Sequence, residues 1–489
     1  RYDIRRAVMV KEYPFLVEGK WRQSDRKEEI RNPYNNEVVG VLHLASKNHL
    51  NEAIVAAEKA FQETKNLSRY RRAEILSGIA SQIREKKDEI TRLIVAEAGK
   101  PWQYAATEAD RAISTFSIAA EETKRLSGEA IPMDWTPSGE GYFAVSKRFP
   151  VGPIAAISPF NFPINLVAHK VAPCIGAGCT MILKPPPQAP LTTLLLGELI
   201  HSVLSRAKAP EGMINILPCP VEVAEAMVMD ERIKMLSFTG SAKVGWYLKS
   251  RAGKKRVLLE LGGNAGAIVH DDADLDWAAQ RLAVGAFAYA GQVCISVQRI
   301  YVHDLIYDRF LGRFLEAVKG LKVGDPMDPK TVVGPLIDKG SANRVKEWIE
   351  EAKGKGAKIL MGGGRKENMI EPTVITNVTP EMKVSCEEVF GPVVTVSSYF
   401  DFEEAVQAVN ESAYGLQAGV FTKDIKRTME AFQNLEVGGV IMNDYPTFRV
   451  DHMPYGGMKD SGLGREGVKY TMEAMTEIKL LVMRLGMNL

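Results

Sequence analysis

The stretch VGPIAAISPFNFPINL (Val151–Leu166) decides the fold. Together with Val167 and Ala168 it carries no charged side chain, so a membrane-spanning helix is the first reading to test. Pro153, Pro159 and Pro163, with Asn161 and Asn165, are poorly tolerated in such a helix. A buried strand at Ile154–Ser158 followed by a rigid loop explains the run better. The same texture recurs on the C-terminal side. TMILK (Thr180–Lys184), INILP (Ile214–Pro218) and IKMLSF (Ile233–Phe238) read as buried strands. Between them APLTTLLLGELIHSVL (Ala189–Leu204) and VEVAEAMVMD (Val221–Asp230) read as helices. Strands alternating with helices predict a parallel sheet covered on both faces, an α/β class.

On the N-terminal side, Asn48–Glu97 and Glu108–Leu126 carry helical periodicity, with Ile75, Ile79 and Ile83 at four-residue spacing. A second strand–helix series opens at RVLLELGGNAGAIV (Arg256–Val269). It continues through RIYVHD (Arg299–Asp304), the helix IYDRFLGRFLEAVKGL (Ile306–Leu321), GAKIL (Gly356–Leu360), PTVIT (Pro372–Thr376) and VVTVSSY (Val393–Tyr399). GYFAVSKRFP (Gly141–Pro150) and TEIKLLVMRL (Thr476–Leu485) are candidate strands of an arm that pairs with another element or another subunit.

The 489 residues fit two or three domains, with 46% apolar and 25% charged residues, ordinary globular values. A net charge of +2 with no long basic block argues against nucleic acid as the main partner. Five cysteines without paired spacing fit a reducing compartment, and hence a cytoplasmic protein, better than a disulfide framework. No CxxC, HExxH or zinc-like spacing is present, so no metal is expected. The residues given contain no signal-peptide core.

Gly462–Gly467 matches GxGxxG literally, but no strand precedes it and only 22 residues follow. The dinucleotide reading needs a whole βαβ unit, so this match reads as a turn-rich loop near a site. SFTGSAKVGWYLKS (Ser237–Ser250) is a better phosphate candidate, because a strand ends there and a helix starts. Gly240 would allow close backbone approach and Ser241 could donate a hydroxyl, although Thr239 or Ser241 could equally be a plain helix cap. Lys184 stands at a strand end before three prolines, placed for a ribose or a phosphate unless it is a solvated surface lysine.

Three further residues carry chemistry. Asn161, held in a proline-rich apolar loop, must bond backbone or point its amide at a developing oxyanion. Glu260, just before two glycines, is either solvated or a general base raised toward neutrality. Cys294, in GQVCISVQR (Gly291–Arg299), reads alone as a core cysteine, and as a nucleophile would need access and a depressed pKa.

SPFNFP, FTGS, LELGG, GQVC, EEVFGPV (Glu387–Val393) and PYGGMKDSGLGREG (Pro454–Gly467), in this order and with Cys294 34 residues after Glu260, resemble the aldehyde dehydrogenase superfamily over nearly the whole chain. The resemblance implies a Rossmann-like coenzyme domain (1–127 and 148–260), an α/β catalytic domain (261–475) and a small β oligomerisation arm (128–147 and 476–489) that builds homodimers or homotetramers. It makes Cys294 the nucleophile, Asn161 the oxyanion donor with the Cys294 backbone N–H, and Glu260 the base that hydrolyses a thioester. It implies NAD or NADP as coenzyme, with Ser158, Phe160, Lys184, Gly240, Ser241, Glu388 and Phe390 around it.

Glu260 favours hydrolysis over transfer to coenzyme A. Relatives that prefer NAD often carry a glutamate three residues after the lysine. Here that position is Pro187, so the repulsion of a 2′-phosphate is missing and NADP is at least tolerated. Arg111 and Arg449 are candidates to grip an anionic substrate tail, or else surface ion pairs with Asp110 or Asp451. Val293 beside the nucleophile offers no charge to a phosphate. The expected substrate is a short polar or hydroxylated aldehyde of the lactaldehyde kind. Succinate semialdehyde and glyceraldehyde 3-phosphate are the alternatives, and a coenzyme-binding protein without turnover is the reading from a different class.

Overall fold

The computed structural model describes residues 10–485. Residues 1–9 and 486–489, assigned above to the coenzyme domain and the arm, lie outside the described residues. The first α/β unit is an eight-stranded sheet in the order Gly462–Leu463, Arg256–Glu260, Met235–Thr239, Pro153–Ile157, Thr180–Lys184, Ile214–Ile216, Phe15–Val17, Lys20–Arg22. The five strands from Arg256–Glu260 to Ile214–Ile216 pair in parallel, and the flanking strands run antiparallel.

Side chains alternate along these strands. Ile154 and Ala156 enter one core with the helices Arg69–Glu85, Trp102–Arg125 and Leu191–Arg206. Ala155 and Ile157 enter another with Lys47–Thr64 and Val221–Met229. Both faces are covered, which is why the strands read as unbroken apolar runs. The strand order reverses between Pro153–Ile157 and Met235–Thr239, and ligands of open α/β sheets bind in the crevice at such a reversal, outside the carboxyl ends of the strands.

The second unit is a seven-stranded sheet: Lys358–Met361, Thr373–Thr376, Val393–Tyr399, Val297–His303, Ala265–Val269, Gln417–Phe421, Gly439–Met442. All its pairings are parallel except that of Lys358–Met361. Tyr142–Pro150 and Thr476–Arg484 form a long antiparallel ribbon, with Ala130–Ile131 on its inner edge. The chain from Val151 forms the expected strand and loop, and then a helix from Asn165 that the sequence reading did not show, with Pro173 inside it. Strands at Glu12–Tyr13, Lys27–Arg31 and Val38–His43 form a small sheet that the periodicity did not show. Among the described residues no helix is long and apolar enough to cross a membrane.

Candidate active site

Strand ends build one wall of the site. Ser158, Lys184, Gly240 and Glu260 stand at or just past the carboxyl ends of four adjacent parallel strands. All four line a cavity of about 710 Å³, together with Phe160, Asn161, Pro187, Ser241, Glu388, Phe390 and Cys294. Lys184 is not a solvated lysine. It is buried, its Nζ donates to the Pro185 carbonyl at 3.2 Å, and burial lowers its pKa. Ser241 precedes the helix Ala242–Arg251 but makes no side-chain capping bond, so that helix start keeps unsatisfied N–H groups facing the cavity. The Ser158 hydroxyl is buried without a partner. An orphan hydroxyl, an uncapped helix start and a buried lysine around a cavity of this size fit a nicotinamide dinucleotide.

Asn161 is fixed by residues far away in sequence. Lys100 Nζ donates to the Asn161 carbonyl at 2.9 Å and to Glu108 Oε2 at 2.7 Å. Glu108 Oε1 in turn accepts the Ile164 and Asn165 N–H groups at 2.9 and 3.1 Å. This fully buried ion pair clamps the loop, and burial brings Lys100 down to about 8. Asn161 Nδ2 donates one hydrogen bond to the Gln292 carbonyl at 3.0 Å, and its second N–H remains for a ligand.

The turn before Cys294 is left-handed at three successive residues, Tyr289, Ala290 and Gly291, with φ of 54°, 54° and 69°. The Gln292 side chain holds it, donating to the Tyr289 and Pro335 carbonyls and accepting the Ile337 N–H at 2.9 Å. Gly263 lets the chain lie against this turn, since a Cβ there would overlap the Cys294 carbonyl. Cys294 lines the large cavity and also a second one of about 240 Å³. Arg111, Arg449, Tyr104, Thr447, Val293 and Tyr455 are among the walls of the second cavity. The sulfur therefore stands where two cavities meet.

The surroundings of Cys294 do not supply the depressed pKa that a nucleophile would need. Burial pushes Cys294 up to about 11, and the carboxylates of Glu388 and Glu260 add to it, outweighing Tyr455 and Arg449. Glu260 is buried with neither carboxylate oxygen partnered, and burial, then Glu466, raises it well above the ordinary range. Glu388 Oε1 accepts the Gly263 N–H at 3.0 Å, and burial lifts it to about 7. The literal GxGxxG segment reaches the site from the other side. Gly462–Leu463 pairs with Leu259 and Glu260, and Glu466 acts on the Glu260 carboxylate.

Both arginines are partnered. Arg111 donates to Asp451 Oδ1 at 2.8 and 3.2 Å, the ion pair that was its alternative reading, while Asp110 pairs with Lys87. Arg449 Nη2 donates to Glu466 Oε1 at 2.6 Å, and its Nε is buried without a partner. Burial opposes ionisation of Glu466, but Arg449, His169 and Lys170 hold its pKa low. Lys170 also donates to Thr239 Oγ1 at 2.7 Å. Lys100, Glu108, Lys170, Gln292, Tyr455 and Glu466 escaped the sequence reading. Their only local signal was a polar residue inside an apolar or glycine-rich segment. His270, Asp271 and His303 bring donor atoms within 4.8 Å of one another from two adjacent strand ends, a cluster that linear spacing does not reveal.

The family model described as "Aldehyde dehydrogenase family" matches residues 21–481. The chain belongs to the aldehyde dehydrogenase family. As an aldehyde dehydrogenase it oxidises an aldehyde to the carboxylic acid with NAD or NADP. It is 43% identical to the 3-sulfolactaldehyde dehydrogenase of Priestia aryabhattai over 479 residues, 98% of this chain and 99% of that protein. Aldehyde dehydrogenase 21 from Physcomitrella patens, solved with its reaction product succinate, superposes with a TM-score of 0.96 at 45% identity, covering 99% of this chain and 100% of that one. The glyceraldehyde-3-phosphate dehydrogenase GapN of Methanocaldococcus jannaschii, complexed with NADP, superposes with a TM-score of 0.91 at 41% identity, covering 94% and 100%. The fold is that of these aldehyde dehydrogenases, a Rossmann-like part joined to an α/β catalytic part.

Proposed function

We propose that Cys294 is the nucleophile, Asn161 the oxyanion donor and Glu260 the hydrolytic base for a short polar aldehyde. The observation that carries this reading is the sulfur at the junction of a coenzyme-sized and a substrate-sized cavity. The Cys294 thiolate adds to the aldehyde carbon, and the new oxyanion is met by the free Asn161 N–H and the Cys294 backbone N–H. A nicotinamide coenzyme held by Lys184, Glu388 and the Gly240–Ser241 loop would supply the hydride acceptor, and Cys294 would be left carrying the acyl group as a thioester. Glu260 then takes a proton from water as it attacks the Cys294 thioester, releasing the acid and the free thiol.

Lys184 and Glu388 are assigned to the ribose hydroxyls, Gly240 and Ser241 to the pyrophosphate, and Ser158, Phe160 and Phe390 to the coenzyme walls. Pro187 lines the cavity beside Lys184, which supports use of NADP as well as NAD. The boundaries at 127/128, 147/148, 260/261 and 475/476 are the proposed domain limits. The ribbon is the proposed oligomerisation arm of a homodimer or homotetramer. Five free cysteines support a cytoplasmic setting.

The second cavity suits a small substrate, and Arg449 favours one with an anionic end, a sulfonate, carboxylate or phosphate. The relatives' sulfolactaldehyde, succinate and glyceraldehyde 3-phosphate share that feature. The test is absorbance at 340 nm with NAD and with NADP against lactaldehyde, 3-sulfolactaldehyde, succinate semialdehyde, glyceraldehyde 3-phosphate and a neutral alkanal. Turnover is expected to be fastest with an aldehyde bearing a hydroxyl or an anion, and with both coenzymes. A preference for the alkanal overturns the substrate class. No turnover with any aldehyde, despite coenzyme binding, favours a binding protein.

A further inference from the structure

The nucleophile has a neighbour to which none of these roles is assigned. Tyr455 Oη lies 2.8 Å from Cys294 Sγ, and the phenol is buried. The Arg449 guanidinium sits over the Tyr455 ring, 3.8 Å from its centroid. Tyr455 is brought there by a bridge in which its N–H and carbonyl exchange hydrogen bonds with Glu466, at 2.9 and 2.6 Å. Glu466 thus fixes the tyrosine through its backbone and Arg449 through its carboxylate.

We propose that Tyr455 is a catalytic residue whose hydroxyl donates a hydrogen bond to the Cys294 thiolate, stabilising it and aiming it between the two cavities. The proposal rests on Cys294 as nucleophile. Burial keeps the phenol protonated, well above its ordinary range, so it acts as donor and not as base. When Cys294 ionises its proton goes to solvent, the sulfur keeps the electron pair, and Tyr455 retains its own proton. The groups facing this pair are Arg449, Glu260 and Glu388, two carboxylates against one cation. Glu260 and Glu388 disfavour a thiolate, so a neutral donor directed at the sulfur offsets what the surrounding charge withholds. Once Sγ is bonded to carbon it is a poor acceptor, and the same O–H becomes free for an oxygen of the substrate in the second cavity, which Tyr455 also lines.

Tyr455→Phe removes one oxygen and keeps the ring under Arg449. The measurement is the rate at which iodoacetamide alkylates Cys294 in the coenzyme-free enzyme, followed by peptide mass between pH 6 and 10. A hydrogen bond to a charged acceptor is strong enough that the variant should alkylate at least about tenfold more slowly near neutrality, its profile displaced to higher pH. The kcat should fall comparably, with coenzyme affinity and thermal midpoint close to wild type. A wild-type alkylation profile in Tyr455→Phe overturns the proposal. Turnover surviving in Cys294→Ala overturns the nucleophile instead, and the alkylation profile reads the hydrogen bond whichever way that control falls.

Discussion

On the proposed mechanism Glu260 ties catalysis to pH most directly. A general base acts in its ionised form, and this carboxylate is raised by burial and by Glu466. The Cys294 thiol, pushed up to about 11, also acts only when ionised. Both active forms become populated as pH rises, so kcat should climb through neutrality and into the alkaline range, with an acid limb above the ordinary carboxylate pKa of about 4.3. Glu260→Gln should keep a burst of about one reduced coenzyme per site and lose roughly 10²–10⁴-fold in steady-state rate. Stopped-flow absorbance at 340 nm measures both phases, and an unchanged steady state would remove Glu260 from hydrolysis. What was legible of Cys294, Glu260 and Asn161 was a polar or reactive side chain in a rigid or apolar stretch; Cys294 alone reads as a core cysteine, and the proposed roles come from the family resemblance. Their ionisation was not, since Glu388, Arg449 and Tyr455 reach Cys294 from segments about a hundred or more residues away.

Elements rather than side chains set the aim of Cys294. The turn Tyr289–Gly291 holds three residues at positive φ, and a Cβ at Gly291 would overlap the Gly391 carbonyl. Gly291→Ala should therefore lower the thermal midpoint, at a cost of about 1–3 kcal/mol for the strained backbone, and depress kcat more than coenzyme affinity. Differential scanning calorimetry with steady-state kinetics tests this. A variant with wild-type midpoint and kcat would show that the turn is not under strain. The parallel strands of the first unit were readable because both their faces are covered. Gln417–Phe421 and Gly439–Met442 were passed over, since each is short and carries a glycine among its apolar residues. Lys20–Arg22 and Lys27–Arg31 were passed over because they are short, charged and largely exposed or half-buried.

At the scale of the molecule the feature left open is the arm. Thr476–Arg484 pairs with Tyr142–Pro150 along nine residues, and its other edge has no neighbouring strand among the described residues. Ile478, Leu480, Leu481, Val482 and Met483 are all exposed, at 62, 52, 53, 42 and 41%. An apolar edge strand left bare invites pairing with another chain. Ile478→Lys combined with Leu480→Lys puts two charges on one face of that strand and should weaken self-association by at least about tenfold. Sedimentation velocity at graded concentration reads the result, and an unshifted oligomer would place the contact elsewhere.

The sequence by itself determined the strand–helix alternation, the glycines that permit close approach, and the chemical identity of the groups proposed to react. Periodicity and residue type are local, so they survive in one dimension. Tertiary structure decided which arginine pairs with which carboxylate, that the Cys294 thiol is raised rather than lowered, and that a tyrosine 161 residues away touches Cys294. Those outcomes depend on burial and on Coulomb and hydrogen-bond distances between distant segments, which exist only once the chain has packed.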